Sequence, residues 1–332
     1  MPKTASMPAN VLILHKLADV YRSKLAPAFP EVTFKAVAVE AEARVLPPEA
    51  RAELADADAI ISIGRWLDAD TLAECRRLKW FQFAITGVDH LLGTLAGTRV
   101  ILTNARGIHG PQMAELTLLH MMAAYRDVRR LVDNQARHVW DRFRPRVLDN
   151  RTVVILGVGV IAEHVARVCK AVGMKTIGIS RTLRAVDGFD RIDHRENMLE
   201  AVAEADFLIV LVPLTKENEK LVGRDVFAAM KPSAYLINIA RGKVVDEEAM
   251  IQAIKAGWIA GAGLDVFDTS PLPPDSPLWD MKNVFITPFV GGQSDQYEDN
   301  IMKIIKPNLQ AFLHGRAVEM INVVPLPFRR AT

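Results

Sequence analysis

The segment Val153-Val-Ile-Leu-Gly157-Val158-Gly159-Val160-Ile161-Ala162 has the residue types and spacing needed to hold a pyrophosphate. An apolar run reads as a strand, the glycines follow in the order G-x-G-x-x-A, and a helical pattern begins after them. Alone, such a string is weak evidence; between a strand and a helix it is specific. Gly157 permits the tight turn. Gly159 removes a Cβ where the backbone must approach the phosphates, and Ala162 is small enough for the helix to pack on the strand. The free N–H groups and partial positive charge of the helix start then favour an anion. The competing reading is a glycine turn with no ligand.

The next strand selects the dinucleotide. An NAD site usually ends this strand with a carboxylate that accepts from the ribose hydroxyl. Here it ends Ile179-Ser180-Arg181-Thr182, with Arg184 close behind. No carboxylate is present to repel a 2′-phosphate, and Ser180, Arg181 and Thr182 can all donate to one. The forked guanidinium suits phosphate oxygens. NADP(H) is therefore preferred, with NAD(H) possible. The competing reading of Arg181 is a surface arginine stacked on adenine.

These residues need a parallel sheet behind them. The apolar runs Val11–Leu14, Ala59–Ile63, Trp80–Ala84 and 100–102 read as buried strands, with a helical stretch at 68–77 that Asp68 can cap. A second series runs through 152–156, 175–180, 207–212, 234–239 and 284–287, with helical patterns at 165–172, 224–230 and 247–256. A long helical pattern occupies 112–130 after Pro111, and a last one occupies 296–313. Strands alternating with helices predict an α/β protein of doubly wound, Rossmann-like parallel sheets. A length of 332 residues suits two domains.

Composition excludes several classes. The chain carries 41 basic and 39 acidic residues. That balance gives no general case for nucleic acid or membrane binding. The basic stretch from Arg137 to Arg146 is broken by aspartate and aromatics and reads as a solvated helix end or linker. Cys75 and Cys169 match no metal or redox spacing, so no metal site is expected and a reducing, cytoplasmic setting is the simplest inference. No apolar run reaches membrane-spanning length without a charge.

Further strings then line up in order. They are Thr86-Gly87-Val88-Asp89, Asn104-Ala-Arg-Gly107 with Ala114-Glu115, Val212-Pro213-Leu-Thr215, Asn238-Ile239-Ala240-Arg241-Gly242 with Val244-Val-Asp246, Gly263-Leu-Asp265-Val-Phe267, and Thr287-Pro288 followed by Gly291-Gly292. Together with the glycine loop they resemble the D-isomer-specific 2-hydroxyacid dehydrogenases over about residues 59–315, nearest to the glyoxylate/hydroxypyruvate reductases. The resemblance implies a discontinuous substrate domain (1–105 plus 296–332), a dinucleotide-binding domain (106–295), a cleft between them, and a homodimer joined through the cofactor domains and the long helix.

It also implies site residues. Gly157 to Ile161, Ser180 to Thr182, Val212, Pro213, Ile239, Ala240, Arg241, Asp265 and Gly291 would line the cofactor, with Asp265 at the nicotinamide carboxamide. Thr86, Gly87 and Val88 would cradle the substrate carboxylate, and Arg65 and Trp66 stand on a loop that often supplies pocket residues. Arg241 would bind and polarise a small 2-oxo or 2-hydroxy acid while a histidine, held by a glutamate, exchanges a proton. Those last two residues are missing. Ser270 holds the glutamate position before Pro271, and Phe289 holds the histidine position after Thr287-Pro288.

His109 stands at the offset where the related formate dehydrogenases carry a substrate-facing residue. It is either an acid or neutral ligand in the cleft, or a loop histidine that bonds backbone or caps the following helix. His90 reads as a surface residue. Three functions remain open: an NADP(H)-dependent oxidoreductase of CH–OH groups with an altered proton relay, hydride transfer to a substrate needing no protein acid, or a catalytically silent NADP(H)-binding sensor or scaffold.

Overall fold

Period-two alternation in the strands sends side chains to two opposite faces, and both faces are buried. Val11 and Ile13 enter one apolar cluster while Leu12 and Leu14 enter another. Val153 and Ile155 likewise part from Val154 and Leu156. Strands buried on both sides belong to parallel sheets covered by helices. The computed structural model describes residues 9–327, which form two compact units: one holds the described residues up to Ile108 and again from Asp295, the other His109–Ser294. Residues 1–8 and 328–332, the ends of the span expected for the substrate domain, and the side chain of Asp89 lie outside the described structure.

The first unit is a five-stranded sheet of β1 (Asn10–Leu14), β2 (Thr33–Val37), β3 (Ala59–Ser62), β4 (Trp80–Phe83) and β5 (Ile101–Thr103), in the order β2-β1-β3-β4-β5. The Tyr297–Leu313 helix returns to it, burying Ile301, Ile304 and Ile305 against the Val11 face. A buried polar chain fixes that return. Asn308 Nδ2 donates to Gln82 Oε1 at 3.1 Å, which also accepts from Thr103 Oγ1 at 2.9 Å, and Trp80 Nε1 donates to Thr103 Oγ1 at 2.8 Å.

The second unit is a seven-stranded sheet of β6 (Thr152–Leu156), β7 (Lys175–Ser180), β8 (Arg191–His194), β9 (Phe207–Val210), β10 (Tyr235–Asn238), β11 (Gly261–Leu264) and β12 (Val284–Ile286), ordered β12-β11-β10-β9-β6-β7-β8. Every pairing in both sheets is parallel. The helix after β6 starts at Val160, earlier than the 165–172 stretch read from periodicity, and buries Ala162, Val165, Ala166 and Cys169 on one stripe. The long helix runs Gly110–Arg126. It stops where Asp127 turns left-handed at φ 50°, and Val128–Ala136 forms a separate helix.

Candidate active site

Because all seven strands of the second sheet run the same way, the loops after them emerge at one edge. The order of strands reverses between β6 and β9, and ligands in open α/β sheets bind outside the carboxyl ends at such a switch point. The glycine loop leaves β6, Ser180–Thr182 leave β7, Val212–Pro213 follow β9, Ile239–Arg241 follow β10, Asp265 follows β11, and Thr287–Gly291 follow β12.

The two loop glycines are present for different reasons. Gly157 has φ +103°, and a Cβ there would lie 2.9 Å from Val212 Cγ1 and 3.0 Å from the Leu211 carbonyl carbon. The fold itself demands glycine at that turn. Gly159 has ordinary φ and nothing of the protein within 4 Å of where its Cβ would stand. Packing does not require a glycine at 159, but a ligand resting on the backbone would. Gly159 is also the N-cap of the Val160–Ala171 helix and supplies no side-chain cap. These features fit a dinucleotide pyrophosphate. Arg184 leans over the loop, 3.4 Å from Val158 O and from Glu163 Oε1, so the one acid in the helix's first turn is neutralised.

The end of β7 adds a residue that sequence reasoning missed. Ser180 and His194 are register partners on β7 and β8, so Arg181 and Arg195 follow them at the same edge. Arg195 donates to Glu217 O at 3.0 Å. Burial holds its guanidinium below the usual range, and the charge of Arg181 lowers it further. Arg181 and Arg195 are thus near enough to repel one another, and the Glu217 carboxylate, itself lowered in part by both, is close to them. The only sequence signal was the polar segment Arg191–Asn197, whose short edge strand carries no apolar alternation.

Asn238, fully buried, braces the next loop. Its Oδ1 accepts from Ala240 N at 3.2 Å and its Nδ2 donates to Arg241 O at 3.1 Å. Ile239 and Ala240 are buried. Arg241 is half-buried. Its Nη1 donates to Ala240 O at 2.7 Å, and it makes no ion pair among the described residues. A Cβ on Gly242 would overlap the carbonyl of Phe267, so this glycine lets the Arg241 loop nest against the exit of β11.

Asp265 is 2% exposed and organises the loop after β12. Its Oδ1 accepts from Thr287 Oγ1 at 2.6 Å and from Val290 N at 3.0 Å; its Oδ2 accepts from Gly291 N at 3.0 Å. Phe289 N reaches Asp265 O at 3.1 Å. Phe289 itself has φ 57° and is 56% exposed, a bulky side chain held in the left-handed region at the position expected to carry the acid. Ser270 is exposed. His109 lies beside this loop: a Cβ on Gly292 would be 3.3 Å from its ring, and Gln112 Nε2 donates to Gly292 O at 3.3 Å. Burial pushes His109 down to about 4, so the ring is neutral at pH 7. It makes no side-chain cap to the helix it precedes, although its carbonyl accepts from Met113 N.

The remaining site residues belong to the five-stranded unit. Thr86 and Gly87 are half-buried and Val88 is buried, after β4, with Thr86 O accepting from Asn104 Nδ2 at 2.9 Å. Arg65 is exposed and paired with Glu42 at 3.1 Å. Trp66 is 3% exposed, packs on Phe81 and donates Nε1 to Ser62 Oγ at 3.1 Å. It is a core residue, which corrects the pocket role read from its loop position. His90 is exposed.

A cavity of about 630 Å³ opens elsewhere on the second unit, lined by Tyr125, Arg129, Phe143, Tyr235 and Phe285 among others, with no residue of the glycine loop. Among the described residues no cluster of His, Cys, Asp and Glu could hold a metal, and no helix is long and apolar enough to cross a membrane. Both cysteines are buried and free.

Comparisons with known proteins agree with one another. Residues 118–291 match the "D-isomer specific 2-hydroxyacid dehydrogenase, NAD binding domain" family. The chain is 34% identical to glyoxylate/hydroxypyruvate reductase B of Pectobacterium carotovorum, over 94% of this chain and 97% of that one. It is 32% identical to D-3-phosphoglycerate dehydrogenase of Methanocaldococcus jannaschii over 87% of its own length, but spans only 56% of that longer relative. Among solved structures, the NADPH-dependent glyoxylate/hydroxypyruvate reductase of Sinorhizobium meliloti in complex with NADP and sulfate aligns with TM-score 0.79 at 25% identity, covering 95% of this chain and 98% of that one.

Proposed function

The chain belongs to the D-isomer-specific 2-hydroxyacid dehydrogenase family, and we propose that within it the protein is an NADP(H)-dependent reductase of small 2-oxo acids with a rebuilt proton route. The observation that carries this reading is the shared sheet edge. One edge presents a glycine loop with open space over Gly159, neighbouring arginines at 181 and 195, and the guanidinium of Arg241, which makes no ion pair among the described residues. The reductase of S. meliloti that this chain resembles holds NADP, which supports the same preference.

When bound, the nicotinamide cofactor supplies the hydride. Arg241 binds the substrate carboxylate and polarises the carbonyl through the N–H groups that Ala240 O leaves free. Asp265 and Asn238 act by fixing the loops on either side of that guanidinium. The proton does not come from position 289. We read His109 as neutral and not as the imidazolium donor, because burial pushes it down to about 4. His109 serves as a neutral hydrogen-bonding ligand, and the proton comes from water.

The pairing of Ser270 with Phe289 favours one other reading, hydride transfer to a substrate that needs no protein acid. One assay series tests both. NADPH and NADH oxidation is measured against a panel of 2-oxo acids, with and without ammonia so that imines form. Turnover of 2-oxo acids alone, with NADPH preferred, is the expected result. Turnover only with ammonia selects the second reading, and no turnover with any member sinks both.

We further propose a cytoplasmic homodimer. The support is an exposed apolar stripe on the two consecutive helices and the segment after them: Leu119, Met122, Leu131, Val132 and Trp140, the last 93% exposed. Sedimentation of the wild type against Val132→Asp measures it.

A further inference from the structure

His120 sits on the Gly110–Arg126 helix with 1% of its surface exposed, at the wall of the cavity lined by Tyr125 and Phe285. Its Nε2 lies 3.2 Å from Thr287 Oγ1. A threonine hydroxyl has one proton to give. Thr287 Oγ1 has two acceptors in reach, Asp265 Oδ1 at 2.6 Å and Leu264 O at 3.5 Å, and the short charge-assisted bond to the carboxylate takes the proton. Toward His120 the hydroxyl is then an acceptor, which forces the Nε2–H tautomer. Nδ1 is consequently a bare acceptor, and it has no hydrogen-bond partner among the described residues. The β11 backbone makes room for this edge of the ring: a Cβ on Gly263 would stand 2.5 Å from Nδ1. Phe285 holds the ring from another side, edge to face at 5.5 Å between centroids.

We infer that His120 is a positioning residue for the Thr287–Gly291 loop. It donates from Nε2 to Thr287 Oγ1 and so holds that hydroxyl where its proton reaches Asp265. Asp265 Oδ1 is thereby drawn to Thr287 in the orientation that also receives Val290 N, while Oδ2 receives Gly291 N. A side chain on the helix thus sets the backbone at 289–291 without touching it. Removing the ring's donor takes away the hydrogen bond that holds the Thr287 hydroxyl in place beside Asp265, and the carboxylate's side-chain anchor loosens. The link to cofactor geometry rests on the reading that Gly291 lines the dinucleotide site; the link to loop order does not.

The test has an arm for each. In protein labelled with 15N histidine, His120 is expected as the Nε2–H tautomer with an unprotonated Nδ1; an Nδ1–H ring overturns the inference even if no variant folds. Amide hydrogen exchange is then measured over 287–292 in His120→Leu, which keeps bulk without a donor, and in His120→Gln, whose Nε2 stands near that of histidine. Ile254→Val, in the opposite apolar cluster, serves as a packing control. Exchange at Val290 and Gly291 should rise about tenfold in the leucine variant, the worth of one buried hydrogen bond. It should return to within about twofold in the glutamine variant and stay unchanged in the control. Unchanged exchange in His120→Leu, or no rescue by His120→Gln, overturns the assignment. NADPH titration of the same proteins should follow exchange. A wild type that binds neither NADPH nor NADH defeats the functional reading, while tautomer and exchange still decide His120.

Discussion

Ser180 and His194 face each other across β7 and β8, and this register delivers Arg181 and Arg195 to one spot at the carboxyl edge of the sheet. Each should contribute a charge-assisted bond to a 2′-phosphate. Arg195→Ala and Arg181→Ala should each weaken NADPH binding by about tenfold and leave NADH within about twofold. Ser180→Asp should reverse the preference through repulsion. Fluorescence titration with both reduced cofactors measures this; NADH binding as tightly as NADPH in the wild type would sink the assignment.

Gly159 and Gly242 separate ligand contact from packing. Gly159→Ala adds a methyl group into open space, so melting temperature should stay within about 2 °C while cofactor affinity falls at least tenfold, or about 1.4 kcal/mol. Gly242→Ala drives a Cβ into the Phe267 carbonyl and should lower stability by about 2 kcal/mol or more. Melting curves and titration on the two variants suffice. Cofactor binding unaffected by Gly159→Ala would remove the glycine loop from the site.

Much of this was legible where a residue's job is local. The glycine loop, Asp68 as a cap accepting from Thr71 N at 2.8 Å, and the apolar strands with two buried faces follow from spacing and hydrophobicity. What was missed lacks that signal. β2 and β8 are half-exposed edge strands, and β11 reads Gly-Ala-Gly-Leu, a poor strand former that is glycine-rich because Asn283 O crowds Gly261 and His120 crowds Gly263. Arg195 became visible only once β8 was paired. Trp66 looked like a pocket residue because a loop tryptophan beside an arginine carries no sign of which way it points; Ser62 Oγ, four residues back, turns it inward. His109 was open between an acid or neutral ligand and a loop histidine, because its burial is not written in the string.

Arg241 should anchor substrate and leave the cofactor alone. Arg241→Lys keeps the charge but loses the planar fork and the bond to Ala240 O. We expect kcat/KM on the preferred 2-oxo acid to fall by about 10²-fold or more, with NADPH affinity within about twofold. Unchanged turnover would take Arg241 out of the mechanism.

Phe289 combines a large exposed side chain with a left-handed backbone, so its replacement should be easy for the fold. Asparagine tolerates that backbone, and Phe289→Asn should hold or raise stability by up to about 1 kcal/mol, whereas Phe289→Val should lower it by about 1–2 kcal/mol. Function should respond differently. Phe289→His alone should recover little proton transfer, because Ser270 is too short to orient an imidazole. Phe289→His with Ser270→Glu should exceed either single change in reductive kcat. A single histidine variant that matches the double would show that no orienting acid is needed.

Acid should destabilise the protein well above the range where its carboxylates protonate. His15, His109 and His120 are each pushed by burial from 6.5 down to about 4. Their folded values lie below their unfolded ones, so between pH 6.5 and 4 the unfolded chain binds more protons than the folded one. Stability then rises with pH in this window: the contribution is complete above about 6.5 and is lost as pH falls toward 4. Each buried ring adds a slope of up to about 1.4 kcal/mol per pH unit there. The carboxylates with lowered values, Asp190 and Asp299 among them, enter only below the ordinary aspartate range; Glu247 and Asp268, raised by burial, act with the opposite sign, and His164, also lowered by burial, adds to the three rings. Melting temperature should therefore fall from pH 6.5 to 5, and His109→Gln with His120→Gln should reduce that slope. The pH dependence of reduction should separate from this. A neutral His109 predicts no loss of rate between pH 6 and 8 traceable to that residue, so His109→Gln should lower the rate without moving the profile. A rate that falls above a value near 6.5 in the wild type, and no longer does so in His109→Gln, would restore the imidazolium as the acid.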